Sequence, residues 1–289
     1  MNDKAANAKC LVIFLLFAFG LAWIPWIIMN RIWGYDEWFS TSHYGIFSNL
    51  TLYAPAFANI LTRLVTKEGF SDMKLHLRLK GHLRAYLIAW LLPVIAAMLT
   101  GVLGTALYGD FSGASELEAQ GFTGLMRISL LLQSLFTAPL MAFVTFGEEF
   151  GWRGYMNDRM KPLLGKTGTV IIGGMLWGIW HAPLTVEGHN FGLDYPGYPY
   201  TGFLAMMLFC TLLGIPLMWL TEKTGSVYPA AICHGMLNFG SSMFRSFLLY
   251  GLTPETAQTG MSAFLVGELP LFVLSLAFIV PLFRKKAAV

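Results

Sequence analysis

This sequence predicts an all-α polytopic membrane protein of about eight transmembrane helices, with both termini in the cytoplasm. Three observations carry that reading. First, 56% of the 289 residues are hydrophobic and 12% are charged, whereas soluble domains average about 25% charged. Contact with lipid requires so many apolar residues; burial in water does not. Second, eight stretches approach the roughly 20 residues with which a helix crosses the ~30 Å hydrocarbon core. Third, basic side chains gather in alternate loops, as they do on the cytoplasmic side of a membrane.

The expected spans are 10–32, 44–65, 85–107, 125–147, 168–186, 200–220, 226–250 and 259–283. The first, CLVIFLLFAFGLAWIPWIIM, is too long for a secretory apolar region and has no small-residue cleavage site after it, so it reads as a spanning helix. Trp23, Trp26 and Trp33 are expected towards its far interface. Gly173, Gly174 and Gly178 in the fifth span allow a neighbouring backbone to come close. The seventh is the least regular, with Gly235, Gly240, Ser241, Ser242 and Arg245 inside it.

Orientation follows from the loops. Arg63, Lys67, Lys74, Arg78, Lys80 and Arg84 follow the second span; Arg153, Arg159, Lys161 and Lys166 follow the fourth; Arg284, Lys285 and Lys286 close the last. The intervening loops hold Asp36, Glu37, Asp110, Glu116, Glu118, Glu187, Asp194 and Glu255. GFSDMKLHLRLKGHLR reads as a partly amphipathic cytoplasmic loop whose basic groups attract anionic lipid heads, or simply as a solvated one. Cys10, Cys210 and Cys233 form no CxxC pair and read as small buried hydrophobes. No internal repeat supports an inverted-repeat transporter, and nothing points to nucleic acid. One membrane domain is expected over 1–289, with its functional core at about 125–250.

Ionisable groups at membrane depth are costly and face the bundle interior. Three sets stand out: Glu148, Glu149 and Arg153 in TFGEEFGWRGYM, His181 in MLWGIWHAPL, and His234 with Asn238 in AICHGMLNFG. Glu149 and Arg153, four apart, share a helix face and pair, while Glu148 is turned about 100° away. His234 and Asn238, also four apart, present an imidazole and an amide to one cavity. At 1.5 Å per residue, His234 lies roughly 12 Å, Glu148 roughly 14 Å and His181 roughly 20 Å from the cytoplasmic ends of their helices. A water-filled cavity opening inward would hold all three.

A carboxylate in such a place is suited to take a proton from water and pass it to a leaving amine, and Glu148 is the candidate. Asn238 and one histidine, His234 above all, would supply donors to the developing oxyanion. His181 would orient the attacking water or share the proton traffic. Two histidines and a glutamate are also a catalytic zinc set, so the residues leave zinc open although no cofactor is expected. Trp152, Trp177 and Trp180 read as packing, with Trp177 a candidate to line the cavity.

At these residues the sequence resembles the CPBP family, the CAAX protease and bacteriocin-processing (Abi) proteins. The family's EExxxR is EEFGWR, its FxxxH is WGIWH with Trp177 in place of phenylalanine, and its HxxxN is HGMLN. The resemblance is strongest over about 140–240 and implies about eight transmembrane helices around a site reached from the cytoplasm. It also implies water activation by Glu148 and His181, oxyanion stabilisation by His234 and Asn238, and supporting roles for Glu149 and Arg153. The family is described as glutamate-dependent. The expected function is therefore an endopeptidase acting on a membrane-associated peptide or protein in a prokaryotic cytoplasmic membrane. The alternative is a non-catalytic immunity or scaffold protein that binds a partner peptide. Substrate identity and oligomeric state do not follow from the residues.

Overall fold

The computed structural model describes residues 3–33, 50–108, 118, 120–246 and 260–284. Asp36, Glu37, His43, Asp110, Glu116, Glu255, Lys285 and Lys286 lie outside the described residues, as do 44–49, 247–250 and 259 of the expected spans. Every described regular element is helical. Among the described residues four stretches are long and apolar enough to cross a membrane: Lys4–Ile32, Leu83–Leu107, Gly124–Trp180 and Tyr200–Thr224.

Helix α1 (Asp3–Trp33) shows how the sequence sorts its faces. Cys10, Phe14, Ala18, Ala22 and Trp26 recur every fourth residue and are buried, while Val12, Leu16, Ile24 and Ile28 are exposed. A stripe at that spacing is one side of a helix, and the small alanines let α2 (Ala54–Thr66) and the later helix α6 pack against it. Trp26 and Trp23, expected at an interface, donate their indole N–H groups to Thr51 Oγ1 at 2.8 Å and to the Trp180 carbonyl at 2.9 Å.

Helix α3 (Leu83–Tyr108) is followed by α4 (Gly124–Thr137), a tight 3₁₀ turn at Ala138–Met141, and α5 (Ala142–Gly151). The path widens into a single π turn at Trp152–Met156 and continues as α6 (Asn157–Trp180). The fourth expected span thus runs past 147 as helix. Inside α6 the chain bends at Gly165, whose φ of 66° and ψ of 178° lie in a region essentially reserved for glycine. Past the bend the chain folds back: a Cβ on Gly173 would lie within 3.6 Å of Met156, Asn157 and Met160. Gly124–Trp180 is therefore two helical arms, matching the separation of the fourth and fifth expected spans.

The remaining elements are α7 (Ala182–Val186), α8 (Tyr200–Thr224), α9 (Tyr228–Ser246), α10 (Gly260–Leu276) and α11 (Ile279–Phe283). The second, seventh and eighth expected spans correspond to α2, α9 and α10 with α11. These are helical, but in their described parts shorter or more polar than the four long stretches. Helix α9 packs on α3 and α5, α8 on α6 and α10, and α2 on α5.

The basic loops are locked by carboxylates. Arg63 is buried rather than loop-exposed; it bonds Asn59 Oδ1 at 2.7 Å and the Gly69 carbonyl at 2.8 Å, and pairs with Asp72. Arg159 meets Glu68 at 2.7 Å, Lys74 meets Asp158 at 2.5 Å, and Glu222 bridges Lys161 and Lys166 at 3.0 and 2.8 Å. All three cysteines are free and buried, as expected of small hydrophobes.

Candidate active site

Three close backbone contacts bring the polar groups together. A Cβ on Gly151 would stand 2.3 Å from Pro55 Cβ in α2. On Gly235 it would stand 2.8 Å from the Ala142 nitrogen, and on Gly174 2.3 Å from Thr211 Cα. Only glycine permits such approaches, and they press α5 against α2 and α9, and α6 against α8. The π turn begins at Trp152, within one helical turn of Glu149. Such turns widen a helix and are frequent at functional sites.

Glu149 is fully buried. Its Oε1 accepts from Arg153 Nη1 at 3.0 Å and faces His234 Nδ1 at 2.9 Å, while Oε2 is buried with no hydrogen-bond partner among the described residues. The i, i+4 pairing expected from sequence is present, with the seventh-span imidazole added to it. His234 Nε2 faces Asn238 Nδ2 at 3.1 Å, so the imidazole donates to Glu149 through Nδ1 and accepts from the amide through Nε2. Asn238 is the exposed member of the set.

Glu148, turned about the helix from Glu149, is held by a different partner. Its Oε2 accepts the Trp177 indole N–H at 2.6 Å. His181, the first residue beyond α6, is also tied to Trp177: its Nδ1 lies 2.9 Å from the Trp177 carbonyl and must donate, which makes Nε2 the lone-pair nitrogen. Neither Glu148 Oε1 nor His181 Nε2 bonds to a described residue. The Trp177 ring packs 4.0 Å beneath the Arg153 guanidinium and edge-on to His234 at 5.4 Å.

Trp177 therefore touches Glu148, Arg153, His181 and His234. Sequence reasoning gave it packing and a wall of the cavity. The one signal of more was its place at the head of WGIWH, where an indole adds a donor that a phenyl ring lacks. Where a water-filled cavity was expected, the groups are closely enclosed: Glu148 is 2%, His234 4% and His181 9% exposed. A small cleft lies alongside between α3, α9 and α10, lined by Thr100, Leu237, Ser241 and Glu268 among others. Glu268, a half-buried carboxyl in an apolar helix, was missed in the sequence. Among the described residues no three His, Cys, Asp or Glu side chains gather to hold a metal ion.

The class is thus an all-helical polytopic membrane protein with buried carboxyl and imidazole groups and one exposed amide converging from three helical regions. Residues 127–240, which span all of these groups, match the family described as type II CAAX prenyl endopeptidase Rce1-like. The chain is 24% identical over 155 residues to CAAX prenyl protease 2 of Methanococcus maripaludis, covering 53% of this chain and 56% of that protein. It is 29% identical over 189 residues to lysostaphin resistance protein A of Staphylococcus epidermidis, covering 64% of this chain and 44% of that protein. The matches thus span about half the length of these curated relatives. Over this region the chain is similar to the CAAX protease/Abi family, the family that its three motifs implied.

Proposed function

We propose that this protein is an intramembrane endopeptidase that hydrolyses a peptide bond in a membrane-associated peptide or protein with water activated by Glu148. The observation that carries the reading is the paired arrangement around Trp177. The indole holds one oxygen of Glu148 and the backbone carbonyl holds His181, while Glu148 Oε1 and His181 Nε2 have no partner among the described residues. A water between those two acceptors can donate one hydrogen to each. Glu148 then takes a proton as the water oxygen attacks the carbonyl carbon, and returns it to the amine as the C–N bond breaks.

Negative charge on the tetrahedral oxygen needs donors already in place. Asn238 offers its second amide hydrogen. His234, backed by Glu149 and Arg153, holds the Asn238 amide through its Nε2 and so aims that hydrogen at the oxyanion. Glu149 and Arg153 act by fixing that imidazole. In this reading the chain has eight spans with cytoplasmic termini, and the scissile bond approaches from the cytoplasmic half of a prokaryotic cytoplasmic membrane. The similarity to a lysostaphin resistance protein favours a second reading, a non-catalytic protective membrane protein.

Cleavage of a membrane-anchored peptide library by purified protein in lipid separates the two. Glu148→Gln, inserted and as stable as the parent, is expected to lose cleavage by at least about 100-fold, the scale of a removed general base. Equal cleavage by parent and variant would end the proposed mechanism. Cellular protection retained by a Glu148→Gln/His234→Ala double variant would favour the protective reading.

A further inference from the structure

The segment from Lys67 to His82, which joins α2 to α3, combines two features that belong at different depths. Leu75, Leu77 and Leu79 are all exposed, at 37%, 50% and 46%. They alternate in sequence with His76, Arg78 and Lys80. In water a run of exposed leucines is unfavourable. Here it continues a larger apolar surface, because Leu64 and Val65 just before the segment and Leu83 and Leu87 just after it are exposed too.

The cations divide in a telling way. Arg63, Lys74 and Arg159 are engaged by Asp72, Asp158 and Glu68. Lys67, Arg78, Lys80 and Arg84 are exposed and make no hydrogen bond or ion pair with described residues. The protein has used its nearby carboxylates on the inner cations and left the outer ones uncompensated. Phosphate groups at the surface of a bilayer are the complement of such a set.

The segment is also pinned, so the leucines are not free to turn inward. The Lys74 carbonyl accepts the Val227 N–H at 3.1 Å, the Lys74 ammonium reaches the Arg153 carbonyl at 3.3 Å, and the Leu77 carbonyl accepts the Tyr86 hydroxyl. Met73 packs with Phe150 and Val227. The geometry points to an interfacial strap: residues 75–80 lie in the headgroup layer of the cytoplasmic leaflet, with the leucines dipping into the acyl region. Lys67, Arg78, Lys80 and Arg84 bind the phosphates of anionic lipids. Through Lys74 the strap is fastened to the π turn that carries Arg153, so lipid bound there holds one wall of the polar site.

The test needs no substrate and so stands apart from the proposed activity. Single spin labels are placed at Leu77→Cys, Leu79→Cys, His76→Cys and Lys80→Cys in the full chain, reconstituted in phosphatidylcholine with a quarter phosphatidylglycerol; the three native cysteines are buried. Labels at 77 and 79 should relax with oxygen more than with a water-soluble nickel chelate, and labels at 76 and 80 the reverse. Selectivity for spin-labelled phosphatidylglycerol over phosphatidylcholine should fall in Lys80→Gln/Arg84→Gln, by up to about fivefold per charge removed at low salt. Chelate-accessible labels at 77 and 79 would overturn the proposal, since the strap would then be in water. Labels shielded from both reagents would also overturn it, by indicating another protein chain over the strap. Lipid selectivity unchanged by neutralisation would remove the anionic-lipid site.

Discussion

Replacing Trp177 with phenylalanine removes one N–H while keeping a ring in the same place. The lost bond is the 2.6 Å contact to Glu148 Oε2. A hydrogen bond to a charged group contributes about 1.5–3 kcal/mol. If that contact aims the carboxylate at its water, the whole amount enters the barrier and kcat falls about 10- to 150-fold. The substrate makes no use of the bond, so KM should stay within about twofold. Phenylalanine also weakens the stacking beneath Arg153, now 4.0 Å from the ring; that contact, about 0.5–2 kcal/mol, should appear as lost thermal stability. A double-substitution cycle separates the two effects, because Trp177→Phe should reduce kcat little in a Glu148→Gln background yet lower stability as before. Cleavage kinetics and thermal unfolding on the same reconstituted samples give both readouts. An unchanged kcat in the single variant, or a loss confined to KM, would refute the aiming role.

Three further outcomes follow from the geometry. Gly174→Ala places a methyl where Thr211 Cα is 2.3 Å away, and overpacking of this kind should cost about 1–3 kcal/mol in thermal unfolding; a neutral substitution would show that α6 and α8 are less tightly apposed. His189, in the loop outside the long apolar helices, has its pKa lowered by burial. The unfolded chain therefore takes up that proton first as pH falls below about 6.5, so stability should drop by at most about 1.4 kcal/mol per pH unit until the native ring titrates. His189→Gln should flatten that slope between pH 7 and 5, and identical slopes would show that His189 does not contribute. Both ring nitrogens of His234 are engaged, by Glu149 and Asn238, so chelation should leave cleavage intact while metal content becomes negligible; activity lost with the metal and restored by zinc would assign His234 a different role.

The sequence made the charged half of the site legible because helical spacing is a local rule. Glu149 and Arg153 had to share a face, and Glu148 had to turn away. Contacts between helices follow no such rule. Nothing in HGMLN announced that His234 would meet Glu149, since that depends on Gly235 admitting the backbone of Ala142. Trp177 was read as filling because its volume dominates its composition, whereas its role rests on one N–H and one carbonyl whose targets belong to other motifs. The π turn was invisible because an added residue in a helical turn leaves the apolar pattern nearly unchanged. Arg63 was counted among the loop cations because Gly69 and Asp72 become its partners only when the chain bends past Lys67, although Asn59, four residues back, shares its helix face.

The glycine contacts at 147, 151 and 235 weld α5 to its neighbours. Helices whose backbones touch cannot slide past each other without collision, so the segment bearing Glu148 and Glu149 moves as one slab with α2 and α9. Breathing that would part the carboxyls from the imidazole of His234 is suppressed along these seams. In the proposed endopeptidase, any motion that admits a peptide would then come from helices not welded in this way, leaving the spacing of these side chains the same before and after the substrate arrives.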